Sequence, residues 1–320
     1  MLVTLEKAIE LIKAGKTLHI AADESLLAQL PTGKWIGGTT PYFIGEEGGL
    51  FTKDRLFVNE IKFAEDVKVA VYGKYNVLQI VEECFDNGLT TLILPFGSAV
   101  AANYAKAAPE VDELLMHPTV GWVAGFDLNT GGVAKVYDGT TGQSYSDKAV
   151  AMYLKLPAGK AAAVKIVNIF EDDKTDPVIT FPDNALTVQK CWVNGQEVNF
   201  AEYIQKKKID TQMPLVADYN GAYINTSVKA IDGSKVELYA PVFRGTEYRF
   251  ATPVSNYAEE FAARINATGA GTPVFSCNCI LNYLYGHLEG KKTPPYAGPV
   301  TFGEVAYQLL NQTLVYCEIV

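Results

Sequence analysis

Histidine, cysteine and positive charge are all scarce in this sequence, and each shortage removes a class of function. The three histidines, His19, His117 and His287, lie far apart and form no motif. The five cysteines (Cys84, Cys191, Cys277, Cys279 and Cys317) are an odd, scattered set, unlike a disulfide framework. Reduced thiols in a cytoplasmic protein are the expectation. Lys and Arg total 27 against 36 Asp and Glu, a net charge of −9. The basic clusters Lys206-Lys207-Lys208 and Lys291-Lys292 are too small to track a phosphate backbone, so no nucleic-acid partner is expected. No apolar run nears the ~20 residues needed to span a bilayer. Ala161 to Phe170, the nearest approach, is broken by Lys165 and Asn168. Met1 to Lys7 lacks the features of a signal peptide, so no membrane partner is expected either, and the sequons at Asn225, Asn266 and Asn311 carry no meaning. Short tandem repeats and low-complexity tracts are also missing.

A chain of 320 residues, 48% hydrophobic and 20% charged, is globular and long enough for two domains. In the first half helical and strand patterns alternate. Thr4 caps a helix with Leu5, Ile9 and Ile12 on one face, and strands follow at Thr17–Ala22 and Trp35-Ile36. A helix carries Val77, Val81, Cys84 and Phe85, and Leu92-Ile93-Leu94 is a strand buried on both faces. Val120–Phe126 and Val133–Tyr137 read as a hairpin about Asn129-Thr130-Gly131-Gly132. The second half is richer in strands. Asn194-Gly195 and Asp232-Gly233 mark hairpins. Ser255 caps a helix that Gly269 closes, and a further helix spans Val305–Leu310. The expected fold is α/β (mixed α+β), with two similar-sized lobes, each a sheet flanked by helices. The polar stretch Glu171–Pro177 divides domains at 1–172 and 178–320.

Several segments are candidates for chemistry. In Trp35-Ile36-Gly37-Gly38-Thr39-Thr40, two glycines let backbone approach a ligand and two hydroxyls offer hydrogen bonds, although the same residues also make a tight core turn. No Lys-Ser/Thr follows at phosphate-loop spacing, and no cofactor is implied. Asp127, after Gly121-Trp122-Val123-Ala124-Gly125-Phe126, either faces a cleft or starts a turn. Cys277 and Cys279 share a strand face, either as small core hydrophobes or as ligand contacts; a metal site would need further ligands. Cys277 with His287 is the alternative catalytic pair, nucleophile and base. Glu304, beyond the proline-rich loop Thr293–Pro299, either pairs with a ligand's amino group or caps the helix after it.

These segments resemble the FIST family of bacterial and archaeal sensory domains, with its FIST N and FIST C parts. Trp35–Thr40 and Val120–Tyr137 resemble FIST N segments. Val274-Phe275-Ser276-Cys277 and Ala297–Glu304, followed by Asn311-Gln312-Thr313-Leu314, resemble FIST C. Cys279 and Pro41 depart from the pattern, and no output domain is attached. The resemblance implies a sensor of a small molecule, such as an amino acid or related metabolite, read out by a separate signalling partner. Its site would lie between the halves, on Gly37, Gly38, Thr39, Thr40, Ser276, Cys277, Gly303 and Glu304. A thiol-dependent hydrolase or transferase using Cys277 is the alternative, and an assembly protein is a third reading.

Overall fold

Strands buried on both faces, such as Gly88–Pro95 and Thr119–Ala124, recur along the chain in three sets built to one plan. The computed structural model describes residues 1–219, 222–267, 271–293 and 295–320, so Gly269 and Pro294 lie outside the described residues. Each set runs outer strand, helical segment, inner strand, second helix, a strand parallel to the inner one, hairpin and return strand. In the first unit these are Leu2–Val3, Leu5–Lys13, Thr17–Ala22, Glu24–Leu27, Trp35–Thr39, the hairpin Tyr42–Gly45 with Gly48–Phe51, and Leu56–Ile61. In the second they are Asp66–Tyr72, Val77–Glu83 (a tight 3-10 segment), Gly88–Pro95, Ala99–Ala107, Thr119–Ala124, Val136–Asp138 with Gln143–Tyr145, and Ala149–Lys155. In the third they are Ala162–Val167, Tyr257–Ala267, Phe275–Cys279, Ile280–Tyr285, Gly298–Thr301, Glu304–Ala306 with Gln308–Leu310, and Leu314–Ile319.

Each unit orders its own strands as outer, return, inner and parallel, and then accepts the hairpin of another unit as two further strands. The second unit's hairpin pairs with Trp35–Thr39, the third's with Thr119–Ala124, and the first's with Gly298–Thr301. The exchange closes a ring. Mixed α+β architecture is therefore as expected, but the strands do not separate at 172–178. Residues 304–310 complete the second unit's sheet and residues 42–51 the third's, because a hairpin leaves its own sheet to cover a neighbour's edge.

Between the third unit's outer strand and its helix lies an insertion. Asp172 and Ala251 bridge each other at its base. The inserted chain forms a six-stranded and a three-stranded sheet of antiparallel pairs around Phe181, Phe200, Leu215 and Tyr248. Its turns at Asn194-Gly195 (φ 49° and 81°) and Gly233 (φ 57°) are the hairpins expected from sequence. Two local expectations differ. Val305–Leu310 is part of a hairpin rather than a helix. Val120–Phe126 and Val133–Tyr137 do not pair with each other, since each is taken up by a strand of another unit.

The three parallel strands meet through a matched set of bonds. The Gly125 N–H donates to the Thr39 carbonyl (2.7 Å) and the Phe302 N–H to the Val123 carbonyl (2.9 Å). The equivalent third position is Pro41, which has no N–H. There the Thr40 hydroxyl donates to the Val300 carbonyl instead (2.7 Å). Strand register also makes Gly37, Gly121 and Gly298 equivalent. A Cβ on them would stand 2.7, 1.8 and 2.1 Å from the carbonyl oxygens of Ile20, Leu92 and Ser276. Glycine is required here for close strand approach, not for a turn. Gly121→Ala and Gly298→Ala should each cost about 2–3 kcal/mol in denaturant unfolding. Gly73→Ala, where the nearest atom is 3.7 Å away, should be near neutral. Equal stability of all three variants would show that the junction is misdrawn.

Candidate functional site

The residues expected to form one site are dispersed. Thr39 and Thr40 line a polar cleft of about 150 Å³ with Lys53, Gly125, Asp127 and Gly131. Its polar groups are already engaged. The Thr39 hydroxyl donates to the Gly125 carbonyl (2.7 Å), and Lys53 pairs with Asp127 at 2.8 Å. Asp127 also accepts from the Asn129 N–H (2.9 Å) and the Thr130 hydroxyl (3.0 Å), so it both lines this cleft and anchors a local turn. Lys53 first, then the Asn129 N–H, hold its carboxyl down to about 2. Gly37 admits the neighbouring strand, and Gly38 admits Trp122, whose Nε1 would lie 2.9 Å from a Cβ. Neither serves a ligand by that contact. Gly303, with φ 156°, faces Val123 and accepts the Val123 N–H (2.8 Å).

Cys277 is buried, and its thiol donates to the Gly121 carbonyl (3.3 Å). Burial, with the Glu304 carboxyl second, pushes that thiol well above its ordinary value, which removes the thiolate a nucleophile needs. His287 is exposed on the turn after Ile280–Tyr285. The catalytic-pair alternative therefore lacks both an ionised thiol and a buried base beside it. Cys279 is equally buried, and among the described residues no group of His, Cys, Asp and Glu is placed to hold a metal.

Ser276 lies elsewhere, on a cavity of about 190 Å³ between the first and third units. His19, Ala21, Phe57 and Asn59 form one wall, and Phe275, Ser276, Ala297 and Pro299 another, with Trp122 between. His19 and Asn59 are cross-strand partners, so their side chains leave the sheet on one face. The Asn59 amide donates to the Val274 carbonyl (2.8 Å), and the Ser276 hydroxyl to the Ala297 carbonyl (2.8 Å). His19 meets Trp122 and Phe275 edge-on, at centroid distances of 6.3 and 6.2 Å.

The imidazole is only 3% exposed, yet neither ring nitrogen has a hydrogen-bond partner among the described residues; the Trp122 indole N–H is also unpaired. Burial drives the His19 pKa down to about 3, so the ring is neutral. Sequence reasoning passed over His19 for want of a motif. The available signal was an imidazole within the otherwise apolar strand Leu18–Ala22.

Residues 3–320 match a family described as a family of unknown function, DUF6976. The chain belongs to this family. No curated protein and no solved structure matches it. The match runs through all three units and the insertion, so the family is defined by the whole ring rather than by either half.

Glu304 is fully buried on the strand facing Trp122 and lines neither cavity described above. It accepts from the hydroxyls of Thr301 (3.2 Å) and Thr313 (2.9 Å) and the Thr313 N–H (3.3 Å). Burial outweighs these bonds and raises its pKa to about 8. The equivalent positions in the other units are the buried residues Phe43 and Val136. A raised carboxyl pKa means that the folded state holds a proton the unfolded state has lost. This contribution is complete below the unfolded value near 4.5 and is lost as pH rises through 8. His19 acts oppositely, its contribution being lost as pH falls below 6.5. Between pH 6.5 and 8 Glu304 works against the Met1 amino group, whose pKa burial lowers and whose contribution grows as pH rises toward 8. Relative to Glu304→Gln, wild type should therefore lose roughly 1–2 kcal/mol across that interval in urea unfolding. Parallel profiles would mean that Glu304 is ionised in the fold.

Proposed function

We infer that this chain is a small-molecule-binding protein whose ligand occupies the cavity of His19, Asn59, Trp122 and Ser276. One observation carries the reading: a buried imidazole with two unpartnered nitrogens on the wall of a cavity. A buried polar group without a partner costs about 1–3 kcal/mol, and a ligand that supplies the bonds recovers that cost. The cavity is also of useful size, since an engineered cavity of about 150 Å³ accepts benzene. The FIST resemblance agrees with such a role and adds sensing, with an amino acid or related metabolite as ligand and a separate signalling partner for readout. Cys277 is too deeply buried, and its thiol too weakly acidic, to favour the thiol-enzyme alternative.

A panel of fragments of up to about ten non-hydrogen atoms should yield binders with Kd on the order of 0.1–1 mM by ligand-observed NMR. Ala297→Leu, which fills the cavity, should abolish them while moving Tm by only a few degrees. An absence of binders, or binders indifferent to Ala297→Leu, would sink the assignment. His19→Leu should raise the stability of the ligand-free protein by about 1–2 kcal/mol. A destabilised His19→Leu would instead mark the imidazole as part of the fold's own framework.

A further inference from the structure

The chemistry of the same cavity narrows the ligand, on the reading just given. Its wall contains no Lys, Arg, Asp or Glu. Met1 contributes an amino group, but this already donates to the Val58 carbonyl (2.8 Å), and burial lowers its pKa, with the Glu46 carboxylate acting the other way, so the group is a poor fixed counter-charge. A buried ion without a counter-ion is strongly disfavoured, which argues against anions and cations alike. Pro273, Pro295 and Pro299 have no N–H to offer, so polar recognition falls to His19, Asn59, Trp122 and Ser276. A neutral imidazole provides one donor and one acceptor, and the Asn59 carbonyl provides another acceptor. Because His19 and Asn59 stand opposite each other on adjacent strands, a donor and an acceptor are presented side by side. The Phe57, Trp122 and Phe275 rings supply apolar surface for the rest of the molecule.

We propose that the cavity takes an uncharged, ring-sized molecule bearing an amide, whose carbonyl accepts from His19 and whose N–H donates to Asn59. Carboxylates and amines of the same shape are rejected. The bond to His19 is insensitive to pH above 5, because the imidazole stays neutral throughout that range, and an uncharged ligand is indifferent to the charge on the Met1 amino group.

The test uses four probes of nearly equal size on the full chain: benzamide, benzoate, benzamidinium and toluene. At pH 7.5 benzamide should bind at least tenfold more tightly than benzoate or benzamidinium, with the same Kd at pH 5.5 and pH 8.0. His19→Leu should weaken benzamide at least tenfold while leaving toluene unchanged or tighter, and toluene binding also reports that the variant is folded. Failure of all four probes to bind, toluene included, would overturn the cavity reading itself. Toluene binding with benzoate or benzamidinium equal to or tighter than benzamide would overturn the amide inference and leave the cavity standing. A benzamide preference that survives His19→Leu would overturn the role given to His19.

Discussion

The approach of three pairs of parallel strands, close enough to exclude a single methyl group, is the constraint on which the rest of the structure depends. At Gly37, Gly121 and Gly298 the neighbouring carbonyl occupies the space a side chain would need. That closeness brings Thr39, Val123 and Val300 together, and their carbonyls then bind the next unit around the ring. The third bond shows how strict the requirement is. Where Pro41 removes the backbone donor, the preceding threonine supplies a hydroxyl to the same kind of acceptor. A buried carbonyl left without a donor would be costly.

The two most unusual ionisable groups sit inside this frame and are used differently. Glu304 takes a position filled by apolar side chains in the other units and is surrounded by donors, so its cost is met within the protein. His19 is equivalent in register to Thr91 and Phe275 and has no such neighbours. Both groups are neutral near pH 7, one by keeping a proton and the other by refusing one. Only the second stands on a cavity wall.

Local features were legible in the sequence because their causes are local. Thr4 caps the first helix, accepting from the Lys7 N–H, and Asn194-Gly195 turns its hairpin because both residues reach positive φ. The ring was not legible, because its pairs join residues as distant as Phe43 and Pro299 and its units share a plan rather than a repeated sequence. The segments 35–40, 121–127 and 298–304 did stand out, and they are three copies of one element. Their role stayed open between ligand and core: a glycine that admits a ligand and a glycine that admits a neighbouring strand look alike in one sequence. Ser276 lies on a cavity, whereas Cys277, the next residue of the same strand, and Glu304 are buried away from it. The alternation of a strand says which face a side chain takes, but not whether that face meets a neighbour or a void.

Hairpin exchange also has a consequence for synthesis on the ribosome. Tyr42–Gly45 is made early, but its partner Gly298–Thr301 belongs to the last part of the chain. At ordinary elongation rates of ~5–20 residues per second, that hairpin waits roughly 15–50 s with one edge unpaired. The nascent chain thus carries an apolar, hydrogen-bond-hungry edge through most of its own translation. An unpaired edge of this kind is a template for pairing with its twin on a neighbouring ribosome, so yield is expected to depend on translation speed as well as on the stability of the finished ring.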